Sequence, residues 1–127
     1  MIRAVAIDHL VLTVRDVDET CRFYSRVLGM EPVTFGGGRR ALRFGAQKLN
    51  LHQAGAEVAP HAADPAPGSA DLCLLTDTSS VDVVAHLAVC GVEVEQGPVE
   101  REGATGTLWS VYFRDPDGNL IEVGTAT

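Results

Sequence analysis

The residues of this chain that could do chemistry are few: His9, His52, Asp71 and Glu122, with Ser110, Tyr112 and Arg114 not far before the last. Imidazole and carboxylate groups both bind divalent metals and both move protons. Glu122 stands among Leu120, Ile121 and Val123, which together call for a buried strand. His9 alternates with Leu10 and Leu12, so it shares a face with Val11 and Thr13. In "KLNLHQ", Asn50 and His52 fall opposite Leu49 and Leu51. In "TLWSVYFR", Ser110, Tyr112 and Arg114 share one face, and Trp109, Val111 and Phe113 the other. Each polar group also has an ordinary explanation. A histidine at a strand start is often just a satisfied polar residue, and a glutamate on a solvated strand face costs nothing.

The elements that must position these residues follow from local signals. "IDHLVLTV" is β-branched and leucine-rich, and predicts a strand. A helix follows: Asp16 suits the N-cap, Glu19 stands three residues on, Gly29 ends it, and Val17, Cys21, Tyr24 and Leu28 recur at helical spacing. "MEPVTF", "RRALRF" and "QKLNLHQ" predict three strands, separated by Gly36-Gly37-Gly38 and by Gly45-Ala46. Residues 54–69 are rich in alanine and proline without periodicity, and read as a linker.

After the linker the pattern restarts. "ADLCLLT" predicts a strand and "SSVDVVAHLAVCG" a helix, and strands are expected at 92–100, 107–114 and 119–124. Leu72 lies 62 residues after Leu10, and Gly91 lies 62 after Gly29. The expected fold is therefore α+β, with two tandem βαβββ modules spanning 5–53 and 70–124 within one domain, residues 1–127. About 50 residues is small for an independent core, so the modules should pack together or pair with those of a second chain.

Bulk properties narrow the partners. The 127 residues carry 46% hydrophobic and 21% charged side chains, as a globular domain does. A net charge of −7 argues against nucleic acid and anionic membranes. No apolar run approaches a membrane span and no secretory leader opens the sequence. Three cysteines, Cys21, Cys73 and Cys90, suit reduced thiols in a cytoplasmic protein.

The stretches "IDHLVLTVRDVDETCRFYSRVLGM" and "VYFRDPDGNLIEV" resemble the vicinal oxygen chelate superfamily. That group includes glyoxalase I, extradiol dioxygenases, fosfomycin-modifying enzymes and bleomycin-type resistance proteins, and the match is to its glyoxalase-domain subgroup. The resemblance implies cup-shaped half-barrel sheets with the helices outside. It also implies a divalent metal (zinc, nickel, manganese or iron) bound in the cup. His9 and Glu122 match ligand positions of the family. Asp71 stands where a second histidine is common and Asn50 where glyoxalase I has a carboxylate, so His52 or Asp71 would complete the set. Tyr112 matches a substrate-contacting tyrosine of fosfomycin-type relatives.

Two functions are consistent with that family. One is a metal-dependent glyoxalase-like lyase or isomerase acting on a small substrate with two neighbouring oxygens, with a displaced Glu122 or a metal-bound hydroxide moving the proton. Asp71, in place of the second histidine, weighs against oxygen insertion. Ser110, Tyr112, Arg114, Trp109 and Phe44 would line the substrate site, and Arg39, Arg40 and Arg43 could meet an anion. The other is a metal-free drug-binding protein whose Trp109, Tyr112 and Phe44 grip an aromatic or hydrophobic molecule. Either is expected to be a homodimer.

Overall fold

The computed structural model describes residues 1–127 as two compact units, Met1–Pro67 and Gly68–Thr127. Unit one contains β1 (His9–Val14), α1 (Val17–Leu28), β2 (Glu31–Phe35), β3 (Arg39–Phe44) and β4 (Gln47–Gln53). Unit two contains β5 (Asp71–Leu75), α2 (Ser80–Val89), β6 (Gln96–Glu102), β7 (Thr107–Arg114) and β8 (Leu120–Ala126). The fold is α+β, and the βαβββ order occurs twice. Residues 54–69 contain no helix or strand.

Each sheet is mixed, in the orders β1-β4-β3-β2 and β5-β8-β7-β6. The first strand runs parallel to the fourth, because the helix carries the chain back before the three antiparallel strands begin. In unit one, the Asp16 side chain caps α1 by accepting from the Glu19 N–H at 3.0 Å. Gly29 adopts φ +66° at the other end, and its N–H donates to the Ser25 carbonyl at 3.1 Å. Tyr24 and Val27 of the helix are buried, as are Leu12, Val14, Leu42, Leu49 and Leu51 of the sheet. In unit two, Val83 and Leu87 are buried with Val111, Phe113, Ile121 and Val123. Each unit thus encloses apolar side chains of its own. Ile2, Val5 and Ile7, ahead of β1, remain exposed.

The strand expected at 92–100 is displaced to 96–102. The Val92 N–H donates to the Leu87 carbonyl at 2.9 Å, so the residues after Gly91 first complete the cap of α2. Gly97-Pro98 then interrupts the ladder: proline has no N–H to give, and the β6–β7 register shifts between Gln96 and Val99. Gly97 has φ +106°, and a β-carbon there would overlap the Ser110 carbonyl, so only glycine fits. No helix is long and apolar enough to cross a membrane.

Candidate functional site

The turn before β8 is built to hold the last strand in place. Asp115 Oδ1 accepts from the N–H groups of Asp117 and Asn119, each at 2.9 Å, and its Oδ2 accepts from Asn119 Nδ2 at 2.8 Å. Asn119 Oδ1 in turn accepts from the Ala70 N–H at 2.9 Å, tying the start of β5 to the same turn. Both side chains are buried. "DPDGN" therefore fixes β5 beside β8.

That register brings a polar group together on the face of the second sheet opposite α2. Cys73 pairs with Glu122 across β5–β8, and Tyr112 pairs with Glu122 across β7–β8. Ser110 Oγ donates to Glu122 Oε2 at 2.6 Å. The Cys73 thiol is pushed up to about 11 by burial and by the adjoining Glu122 carboxylate, to which it is hydrogen-bonded. Tyr112 OH accepts from Arg101 Nε at 3.0 Å, and that guanidinium lies 5.6 Å from the Tyr112 ring centre. Asp71 lies on the same face as Cys73, two residues before it. Glu122, Cys73, Leu75 and Leu108 line a groove of about 860 Å³ walled by the β6–β7 hairpin at Glu102–Thr107. This groove is of small-molecule size.

Arg114 is placed differently. Its Nε and Nη2 grip the Glu95 carboxylate at 2.9 and 3.0 Å, and Nη1 donates to the Gly118 carbonyl at 3.2 Å. Through this bond the Glu95 carboxylate raises the Arg114 pKa and the guanidinium lowers that of Glu95. It braces the turn. Trp109 does not join Glu122: it alternates with Val111 and Phe113, onto the face toward α2.

In unit one, His9 and His52 both lie on the sheet face opposite α1. His9 Nδ1 stands 2.9 Å from Asp8 Oδ1, and the carboxylate orients the ring so that Nε2 is left for another partner. His52 is buried, and neither ring nitrogen has a hydrogen-bond partner; Asn50 Oδ1 is likewise buried and unpaired. Each such orphan costs about 1–3 kcal/mol unless something else meets it. Burial, and then Arg39 and His61, lower the His52 pKa, and Glu57 opposes them. Phe44 shares its face with Leu42 and with Arg40, which reaches α1 at Asp18 (3.0 Å) and Cys21 (3.4 Å). It therefore lies on the helix side, away from His52.

The expectation that His52 completes a metal set with His9 meets a geometric obstacle. His52 pairs with Thr13, four residues along β1 from His9. At about 3.3 Å per residue the two positions stand ~13 Å apart on one face. Metal-bound imidazole nitrogens lie only ~2.0–2.1 Å from their ion. Two rings reach one ion across that span only by leaning straight toward each other, whereas strand side chains stand roughly perpendicular to the sheet. Nowhere in the chain do three His, Cys, Asp or Glu side chains converge in the form of a metal cage. The donors that suit a divalent ion are the carboxylates of Asp71 and Glu122, one step apart on one face, and His9 with its orienting Asp8.

Comparison with known proteins settles the kinship. The family model described as Glyoxalase/Bleomycin resistance protein/Dioxygenase superfamily matches residues 6–123. The chain belongs to this superfamily. Within the superfamily, it is 58% identical over 117 residues to virulence protein STM3117 of Salmonella typhimurium, covering 92% of this chain and 81% of that one. The crystal structure of that protein superposes with a TM-score of 0.97 at 54% identity, over 99% of this chain and all of the other. The glyoxalase domain-containing protein RDO1 of Mycosarcoma maydis is 52% identical over 120 residues, 94% of this chain and 68% of that protein. A lactoylglutathione lyase structure from Agrobacterium tumefaciens is 28% identical with a TM-score of 0.73, covering 96% and 94% of the two chains.

Sequence reasoning missed Cys73, Arg101 and Asp8. Cys73 alternates with Asp71 along β5, so strand periodicity alone assigns it the face that Asp71 occupies. Arg101 carried no such signal, because its contact with Tyr112 depends on the shifted β6–β7 register.

Proposed function

We propose that this chain is a divalent-metal-dependent lyase or isomerase acting on a small substrate that presents two neighbouring oxygens, such as a hemithioacetal or hydroxyketone. The observation that carries it is Glu122: a carboxylate on an otherwise apolar strand, held by Ser110 at 2.6 Å and facing an open groove. A merely solvated glutamate has no need of a buried hydroxyl donor. A relative 28% identical in sequence is a lactoylglutathione lyase, which agrees with this class of chemistry.

The donors we assign are the carboxylates of Asp71 and Glu122 on one face of the second sheet, suited to zinc, nickel, manganese or iron, with His9 a candidate ligand by its family position alone. Such an ion supplies Lewis-acid stabilisation of a developing alkoxide or enediolate. The protein does the remainder. Ser110 fixes the carboxylate of Glu122 in one rotamer, and Glu122 takes the proton from the substrate carbon and returns it to the neighbouring one. Tyr112, whose oxygen already accepts from Arg101, keeps its own O–H free to donate to a substrate oxygen. Leu108, buried in the wall of the groove, limits water on one side of the exchanged proton.

The drug-binding alternative rested on stacking by Trp109, Tyr112 and Phe44. Two of these rings occupy helix-side faces and the third is covered by Arg101, so that reading is the weaker. A homodimer remains part of the proposal. Residues 1–67 carry eight basic and seven acidic side chains, whereas residues 68–127 carry two and ten. This asymmetry favours pairing of unlike units between copies. The decisive experiment is elemental analysis of untagged protein, with melting temperature measured on adding each metal. A metal-free protein whose melting point ignores all four ions overturns the proposal.

A further inference from the structure

A second pocket, of about 320 Å³, lies within unit one between the sheet and the segment after β4, lined by Val11, Thr13, His52, Pro60, His61 and Ala62. We propose that this pocket binds a small 2-hydroxycarboxylate, with His52 and Asn50 as its hydrogen-bonding floor and Arg39 as its cation. All of these residues belong to residues 1–67, so the site does not depend on the metal reading.

The floor is built but unfilled by protein. His52 is 4% exposed and lines the pocket, and both of its ring nitrogens lack a partner. Asn50, also 4% exposed, lies two residues back on the same face, with Oδ1 unpaired. Buried polar atoms of this kind are nearly always satisfied by something. The chemistry of the two groups specifies what. An amide oxygen only accepts, so the ligand must bring a donor such as a hydroxyl. A neutral imidazole offers one N–H, so the ligand must also bring an acceptor.

The sign of the charge is set by the neighbours. Arg39 and His61 disfavour protonation of His52 more than Glu57 favours it, so the field at the ring is net positive and attracts an anion. Arg39 lies 4.9 Å from the Phe35 ring centre, which stiffens the guanidinium on that side of the sheet. Val11, Pro60 and Ala62 leave the rest of the pocket apolar, enough for a short carbon skeleton. A carboxylate toward Arg39 and the His52 N–H and an adjacent hydroxyl toward Asn50 meet two of the three orphaned atoms, and the second ring nitrogen of His52 is left to a further donor.

The test uses the full chain labelled with ¹⁵N-histidine, observing ring nitrogen resonances while glycolate is added, with acetate and ethylene glycol as comparison probes. The His52 signals are assigned by their loss in His52→Gln. Glycolate should shift them saturably, with acetate about tenfold weaker for want of one hydrogen bond, and ethylene glycol weaker still. Asn50→Leu should bring glycolate and acetate within about twofold of each other. Arg39→Gln, at a half-exposed position that the fold tolerates, should weaken both acids together. No saturable shift with glycolate, an equal response to ethylene glycol, or His52 signals that respond to zinc alone would each overturn the proposal.

Discussion

Ser110 Oγ and Glu122 Oε2 meet at 2.6 Å across the β7–β8 pair, and this contact joins a fully buried serine to the carboxylate that faces the groove. Removing the hydroxyl by Ser110→Ala leaves the strand pairing intact but lets Glu122 change rotamer. Metal affinity or turnover should fall about 10–100-fold, the usual effect of losing a group that orients a ligand. Titration of the variant with a metal indicator measures it, and an unchanged affinity would show the hydroxyl to be a bystander.

The separation of His9 from His52 orders a set of single variants. His9→Ala, Asp71→Ala and Glu122→Ala should each lose most bound metal while keeping the native circular dichroism. His52→Ala should keep its metal. Elemental analysis of the four proteins decides the matter, and metal loss in the His52 variant would contradict the register argument.

The Asp115–Asn119 turn should matter more to stability than its position near the surface suggests. Asn119→Ala deletes a hydrogen bond to a buried carboxylate and one to the Ala70 N–H. A loss of about 2–4 kcal/mol is expected from bonds of this kind. Urea denaturation should register it as a lower midpoint with little change in slope.

His52 also gives stability a pH dependence of definite sign. Its folded pKa lies below the ordinary 6.5, so as pH falls through 6.5 the unfolded chain takes up the proton first. Stability should therefore drop as pH falls from about 7 into the window below 6.5. His52→Gln should flatten that slope. Arg39 and His61 oppose protonation and Glu57 assists it, so Arg39→Gln should raise the folded pKa toward 6.5, narrowing the window from below and reducing the total loss.

Association is checked by sedimentation at micromolar concentration. A species of twice 13.5 kDa is expected, weakening with salt if the unequal charge of the two units contributes. A compact monomer at every concentration would remove the dimer from the proposal.

Much of this was legible because local rules govern it. Asp16, Glu19 and Gly29 announce α1, and alternation alone sets Ser110, Tyr112 and Glu122 on one face. The same alternation already assigned Trp109 to the layer of Val111 and Phe113, so its inclusion among substrate residues ran against the strand pattern. What was not legible depends on pairing between distant segments. Sharing a face says nothing of level along it: His9 and His52 are separated only once β1 is set against β4. The start of β6 was hidden for a similar reason, because the cap of α2 and Gly97-Pro98 both act after the apolar pattern has begun.

The segment between the two sheets has a consequence for how such proteins can diversify. Every strand ladder closes within residues 1–67 or within 68–127, so a crossover near Pro67 severs no strand pair. Leu10 pairs with Leu49 in the first half and Leu72 with Ile121 in the second, so the second half carries ten more residues between its first and last strands. Recombination between homologous genes at this point would exchange an intact half-protein, one bringing imidazoles and the other carboxylates. New specificities can then arise by shuffling halves rather than by rebuilding either one.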